Sequence, residues 1–214
     1  MIRLFTLAFL YLLAAPTISL EAAVKSVCGE DGVTYVSKED AHAHGVLAIH
    51  SGNCGRCSNR QDIQIYNSTK NTLTTTAKLC AYLTLLVGEW AGRRCMKTVN
   101  FTDGCRECWM DNIKCDIGSR CLWVCLKSSL KLEPRNLPDG RLNDCLQCDE
   151  DVCGPAFLKC AGANRRRSGI RSDIDRPEDE VWEGDDLDRV LDRKKPLADI
   201  EGVSGGEPHD MMEL

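Results

Sequence analysis

Between residues 72 and 160 the apolar positions recur at spacings of three and four, and strand-like alternation is scarce, which predicts a mostly α-helical body. Thr72 to Thr76 place hydroxyls ahead of Ala77, Leu79, Cys80, Leu83, Leu86 and Val87, a set expected to line one stripe of a helix that Gly88 and Gly92 fray or end. Cys105 and Cys108, Cys121 and Cys125, and Cys145 and Cys148 are spaced so that each pair shares a helix face and can staple it to a facing helix. Pro134 and Pro138-Asp139-Gly140 mark a loop, and the last helical stretch, 142–160, is expected to kink or split at Gly154-Pro155. Two regions depart from this pattern. Asp31-Gly32 is a tight-turn dipeptide before a strand-like run, Val33 to Val36, and Lys38 to His44 can form a helix ending at Gly45. Near the C-terminus Val181, Trp182, Leu187, Val190 and Leu191 are scattered among acids, enough for a transient amphipathic helix and too few for a core.

Cysteine usage changes the picture. The 14 cysteines are Cys28, Cys54, Cys57, Cys80, Cys95, Cys105, Cys108, Cys115, Cys121, Cys125, Cys145, Cys148, Cys153 and Cys160, an even set. The chain opens with Arg3, an apolar run from Leu4 to Ala15 and small residues up to Ala23, the layout of a cleaved secretory signal at 1–22. Behind such a signal the cysteines are expected to form disulfides, with no metal and no cofactor. Four regions follow: the signal, a short module at 24–55, a helical cysteine-rich domain at 56–163, and a basic linker with an acidic disordered tail at 164–214. The body has few aromatics, so crosslinks are expected to supplement a modest core. Asn67-Ser68-Thr69 and Asn100-Phe101-Thr102 are N-glycosylation sequons expected on surface loops.

Charge is divided unevenly. From Ser168 to Leu214 there are 15 acidic and 6 basic residues, so this segment carries −9 and the rest of the chain +4. No basic patch is interleaved with aromatics, which argues against a nucleic-acid partner, and no later segment is apolar enough for a membrane span in the mature chain. Arg165-Arg166-Arg167 before Ser168 is a candidate processing site, with cleavage after Arg167, or else an electrostatic contact for the tail.

Candidate chemistry is thin. His42, His44 and His50 fall in the short module and His209 in the tail, which leaves the body without an imidazole base for hydrolase chemistry. His42 and His44 are read as exposed helix histidines ahead of a metal pair. Cys54-Gly55-Arg56-Cys57 has redox-motif spacing without the βαβ context such motifs occupy. Cys105, Cys108, Cys145 and Cys148 would be a zinc quartet in a cytosolic chain and are read as disulfides here. Asp149, Glu150 and Asp151 are expected to be solvated, with no second carboxylate assigned to face them and no alternating calcium-loop pattern. A catalytic site is therefore not expected.

The run Cys28-Gly29-Glu30-Asp31-Gly32-Val33-Thr34-Tyr35, followed by His50-Ser51-Gly52-Asn53-Cys54, resembles the second half of a Kazal domain. The resemblance implies a strand and turn, a helix, and a bridge from Cys28 to Cys54, whose loop closure stabilises by about 3.5 kcal/mol on the chain-entropy model. It covers residues 28–54 only. Glu39 stands where the family's helix carries a cysteine, and His42 and Val46 are not cysteines, so two of the family's three bridges are missing. The inhibitory loop of the family would fall at Glu21 to Val27, without the bridges that hold it rigid. The stretch from Cys153 to Arg167 is similar to segments of uncharacterised cysteine-rich secreted proteins. The expected function is that of a secreted, non-enzymatic binding or structural protein with an extracellular protein partner. Inhibition of a serine protease through the Kazal-like module is the alternative.

Overall fold

The computed structural model describes residues 26–184 and 186–192; the signal expected at 1–22 and the tail from 193 onward, with His209, lie outside the described residues. The order of elements is β1 (Val27–Gly29), β2 (Thr34–Tyr35), α1 (Lys38–Ala43), β3 (Ala48–Ser51), α2 (Arg60–Ser68), α3 (Leu73–Leu86), α4 (Glu89–Lys97), α5 (Asp103–Gly118), α6 (Cys121–Leu130), α7 (Asp144–Val152), α8 (Gly154–Ala161), a 3-10 turn (Glu178–Glu180) and α9 (Leu187–Leu191). The chain is mostly helical with one small sheet. No helix among the described residues is long and apolar enough to cross a membrane.

The sheet is antiparallel in the order β2-β1-β3, with Val27 opposite Tyr35 on one side and Ser51 on the other. Asp31 closes the β1–β2 turn by accepting from the Val33 amide at 3.0 Å and the Tyr35 hydroxyl at 2.7 Å. Ser37 caps α1 through the Asp40 amide, and Gly45, with φ 72°, supplies the left-handed step that ends the turn after it. Val27, Ala41 and Ala48 form a small core with Tyr35.

In the body, Asn59, Thr102 and Asn143 each cap a helix (α2, α5 and α7) with a side-chain oxygen. Asp62, fully buried, ties two of these ends together: it accepts from the Thr102 amide at 2.8 Å, the Thr102 hydroxyl at 2.6 Å and Asn59 Nδ2 at 2.6 Å. The main core lies alongside, where Tyr66, Phe101, Trp109 and Phe157 make ring contacts and Ile63, Met96 and Met110 are fully buried. Tyr66 Oη accepts from Trp109 Nε1 at 3.1 Å and donates to the Ala163 carbonyl at 3.3 Å, so this buried phenol is paired on both counts.

Seven disulfides join Cys28–Cys54, Cys57–Cys105, Cys80–Cys95, Cys108–Cys160, Cys115–Cys153, Cys121–Cys148 and Cys125–Cys145, with no free cysteine. Such complete pairing is compatible with an oxidising compartment. Cys54 and Cys57 have different partners, and so do the four cysteines of the zinc alternative. The module meets the body at a glycine pair: Arg56 and Cys57 donate backbone bonds to Cys160 and Ala161, and a Cβ on Gly55 would lie 2.5 Å from the Gly162 nitrogen.

Four expectations are corrected. The α3 stripe is not buried as a unit: Cys80 is, but Leu79, Leu86 and Val87 are 54%, 80% and 51% exposed. This helix is apolar on nearly every side, so spacing alone does not choose its inner face. Thr72 stands at its N-cap without a side-chain cap bond, and Gly92 lies inside α4, where a Cβ would strike Thr84 and approach the Cys80 carbonyl to 3.2 Å. Residues 164–192 are not a free linker and tail. Ser168, Ile170 and Val190 are buried, Trp182 packs on the module's small core, and α9 packs on α2. Two acids of this segment pair with arginines, Asp173 with Arg165 and Glu180 with Arg166 and Arg176, and the last two arginines also reach Glu150 on α7. Gly154-Pro155 splits the last helical stretch into α7 and α8, with Pro155 in the first turn of the second.

Candidate functional site

A cavity of about 520 Å³ opens between α3, α5, α6, α7 and α8 and is lined on another side by the segment after α8. Ala81, Ile113, Leu122, Leu146, Phe157 and Ile170 give it mostly apolar walls. The space exists because α6 and α7 contribute little packing. Their buried residues are Cys121, Ser128 and Cys148, and the bridges Cys121–Cys148 and Cys125–Cys145 set the distance between the two helices.

The lining also carries polar and charged side chains, among them Lys78, Glu133, Arg135, Arg165, Arg171 and Arg176, and one cluster of facing acids. Asn112 and Asp116 stand one turn apart on α5, facing Asp149 on α7, and the Cys115–Cys153 bridge brings these helices together. Asn112 Nδ2 donates to Asp149 Oδ1 at 2.8 Å. Oxygens of Asp116 and Asp149 lie within 4.8 Å of one another, closer than the spacing of about 5 Å or more in glycoside-cleaving carboxylate pairs. Burial, then the neighbouring Asp149 charge, raises the Asp116 carboxyl well above the usual carboxylate range. Burial also raises Asp149, opposed chiefly by the bond from Asn112. Burial therefore pushes both facing carboxyls towards their protonated forms. With both ionised, Asp116 Oδ1 has no donor partner, and neither has the buried Asn112 Oδ1. Cys153 Sγ is also within reach of the two carboxyls, but it is bonded to Cys115 and offers no thiolate.

This overturns the sequence reading of Asp149 as a solvated acid without a facing carboxylate. Asp149 looks into the cavity, Glu150 bridges Arg166 and Arg176, and only Asp151 is exposed, accepting from Gln147. The facing residue, Asp116, is 33 positions away from Asp149 in sequence, and nothing in its local spacing marks it.

The other sequence candidates lie elsewhere. His50 Nδ1 donates to the Ser51 carbonyl at 2.9 Å and Nε2 accepts from Ser58 Oγ at 2.6 Å, both residues being buried where module and body meet. Burial holds His50 down at about 4, so it is neutral. His42 Nε2 lies 2.6 Å from Asp186 Oδ2, and His44 Nδ1 bonds the Asp40 carbonyl, so the two histidines face different partners. Asn100 is exposed in a turn at φ 69°, whereas Asn67 lies within α2 and not on a loop. Arg167 is no exposed cleavage point: its amide donates to Asn164 Oδ1, its carbonyl accepts from Ser51, and Ser168 beyond it is fully buried. A protease needs this bond extended, and here it is folded into a turn.

Residues 89–183 are similar to a family of unknown function (DUF8771), a match over less than half of the chain that runs from α4 through α8 to just beyond Trp182. No curated protein and no solved structure matches.

Proposed function

We propose that the chain is a secreted, non-enzymatic binding protein whose helical body encloses a small, largely apolar ligand. The observation that carries this reading is the cavity, whose volume falls in the range of small-molecule sites, roughly 300–1,000 Å³. A void of this size in a native body ordinarily collapses or is filled. Here crosslinked helices hold it open and place a few convergent polar groups in one wall. The signal-like N-terminus and the seven bridges support secretion. The neutral, buried His50–Ser58 pair, with Nδ1 bonded to a carbonyl and not to a carboxylate, supports binding over catalysis.

The short module acts in this reading as a rigid scaffold that closes one end of the body. Its strand, turn and helix with the Cys28–Cys54 bridge support the Kazal-like resemblance. They do not favour the protease-inhibitor alternative. Val27, next to Cys28, is 2% exposed in the central strand, paired on both sides, and so belongs to the sheet and not to a protruding loop.

Titration of the oxidised protein with the neutral fluorophore N-phenyl-1-naphthylamine tests the reading. Saturable binding at one site per chain is expected, and Ala81→Trp, which fills the cavity, should abolish it while the disulfides and the thermal transition remain. Ala77→Phe is a second filling variant should the first misfold. Absence of saturable binding, or binding indifferent to filling, would overturn the proposal.

A further inference from the structure

Two of the four tryptophans, Trp90 and Trp123, stand in water at one end of the helical body, 66% and 73% exposed, while Trp109 packs in the ring cluster. We infer that this end docks on an anionic lipid bilayer, with Leu86, Val87, Trp90 and Trp123 entering the interface and neighbouring cations meeting the headgroups.

The end is made of two helix corners, the α3–α4 turn at Gly88 and the α5–α6 turn at Ser119 and Arg120. The Lys114–Glu89 ion pair at 3.7 Å ties α5, one turn before its end, to the start of α4, and Leu85, Ile117 and Leu122 line the same cavity, so the corners lie side by side. Gly88, with φ 121°, lets α4 begin directly after the corner, which leaves Leu86 and Val87 exposed on it. Tryptophan has an apolar ring and a polar N–H, and it is enriched where hydrocarbon meets headgroups.

Charge selects the occupant. Residues 78–97 and 114–131 hold eight Lys and Arg against two acids, Glu89 and Asp116, a balance of +6 in a chain of −5. Asp116 belongs to the cavity wall, and Glu89 is already paired with Arg93 and Lys114. Arg94, Lys97, Arg120 and Lys127 are exposed and have no ion pair among the described residues. Arg120, Trp123, Lys127 and Leu130 recur at spacings of three and four, so cations and large apolar side chains alternate along one exposed stripe of α6. The core of a protein interface is depleted of lysine and of charge, which this stripe is not. At an anionic bilayer the Lys and Arg stems can lie along the apolar layer while their heads reach the phosphates, and each such cation adds to the attraction.

The test is flotation of the full oxidised chain with vesicles of phosphatidylcholine alone and of equimolar phosphatidylcholine and phosphatidylserine. Binding to the mixed vesicles should be at least about tenfold tighter, and it should weaken as salt is raised. Trp90→Ala with Trp123→Ala should weaken that binding by at least about tenfold, through lost apolar contact with the bilayer. Arg120→Glu with Lys127→Glu should bring the two vesicle types towards equality. All four positions are exposed, so the thermal transition should stay in place; Leu86→Ser with Val87→Ser is the second apolar variant should the tryptophan pair shift it. Absent binding, equal binding to the two vesicle types, or a preference unchanged in the variants would overturn the inference. Self-association in sedimentation that disappears with Trp90→Ala and Trp123→Ala would also overturn it, by giving this face to a second copy of the chain.

Discussion

The two ends of the helical body are held by different physics. At one end α2, α4 and the first half of α5 bury Ile63, Tyr66, Met96 and Met110 completely, and the ring cluster of Tyr66, Phe101, Trp109 and Phe157 fills the space between them. At the other end the α6–α7 hairpin buries hardly more than two cysteines and a serine, and covalent bonds stand in for packing. A bridge fixes a distance without needing atoms in between, whereas a core fixes it only by filling the gap. The stapled end can therefore keep a cavity that a packed end of the same size could not.

Substitutions should separate the two ends. The largest effect is expected at the packed end: Tyr66→Ala should lower unfolding stability by about 4 kcal/mol, through lost volume and an orphaned Trp109 N–H, as measured by urea denaturation. Removing one staple, Cys121→Ser with Cys148→Ser, should lower it by about 3.5 kcal/mol on the chain-entropy model. It should also weaken probe binding, because it frees the cavity wall.

A pH effect comes next. His50 has a folded pKa below its ordinary 6.5, so its contribution is complete above 6.5 and is lost as pH falls towards about 4, up to about 2–3 kcal/mol. His50→Gln should flatten that acid limb in pH-dependent thermal melts. Asp116 has the opposite sign: its raised pKa makes the folded chain hold a proton that the unfolded chain releases, so stability falls as pH rises past the ordinary carboxylate range. Asp149 faces it directly and Asn112 lies beside the pair, with Glu150 and Arg176 acting on Asp149. Asp116→Asn should remove that loss. The smallest effect is expected for Leu122→Ala, which enlarges a space already unfilled and should cost under about 1 kcal/mol, against the 2–5 usual for a buried leucine.

Much of the local structure was legible in the sequence. Asp31-Gly32, the helix ending before Gly45 and the split at Gly154-Pro155 follow from backbone preferences of single residues. What escaped it depends on long-range pairing. The facing of Asp116 and Asp149 is created by a bridge whose partners spacing does not reveal. The ordered course of 164–192 depends on Arg165, Arg166 and Arg176 meeting Asp173, Glu150 and Glu180, and on Trp182 reaching the module, none of which a local charge count can show. The cavity has no sequence signal, since it is made of contacts that do not form.

Amide hydrogen exchange of the oxidised chain, with and without saturating N-phenyl-1-naphthylamine, tests most directly whether the stapled end is the binding end. New protection is expected in α6, α7 and the cavity-facing half of α5, with α2 and α4 little changed. Protection that appears first in the sheet module, or no change in α6 and α7, would contradict it.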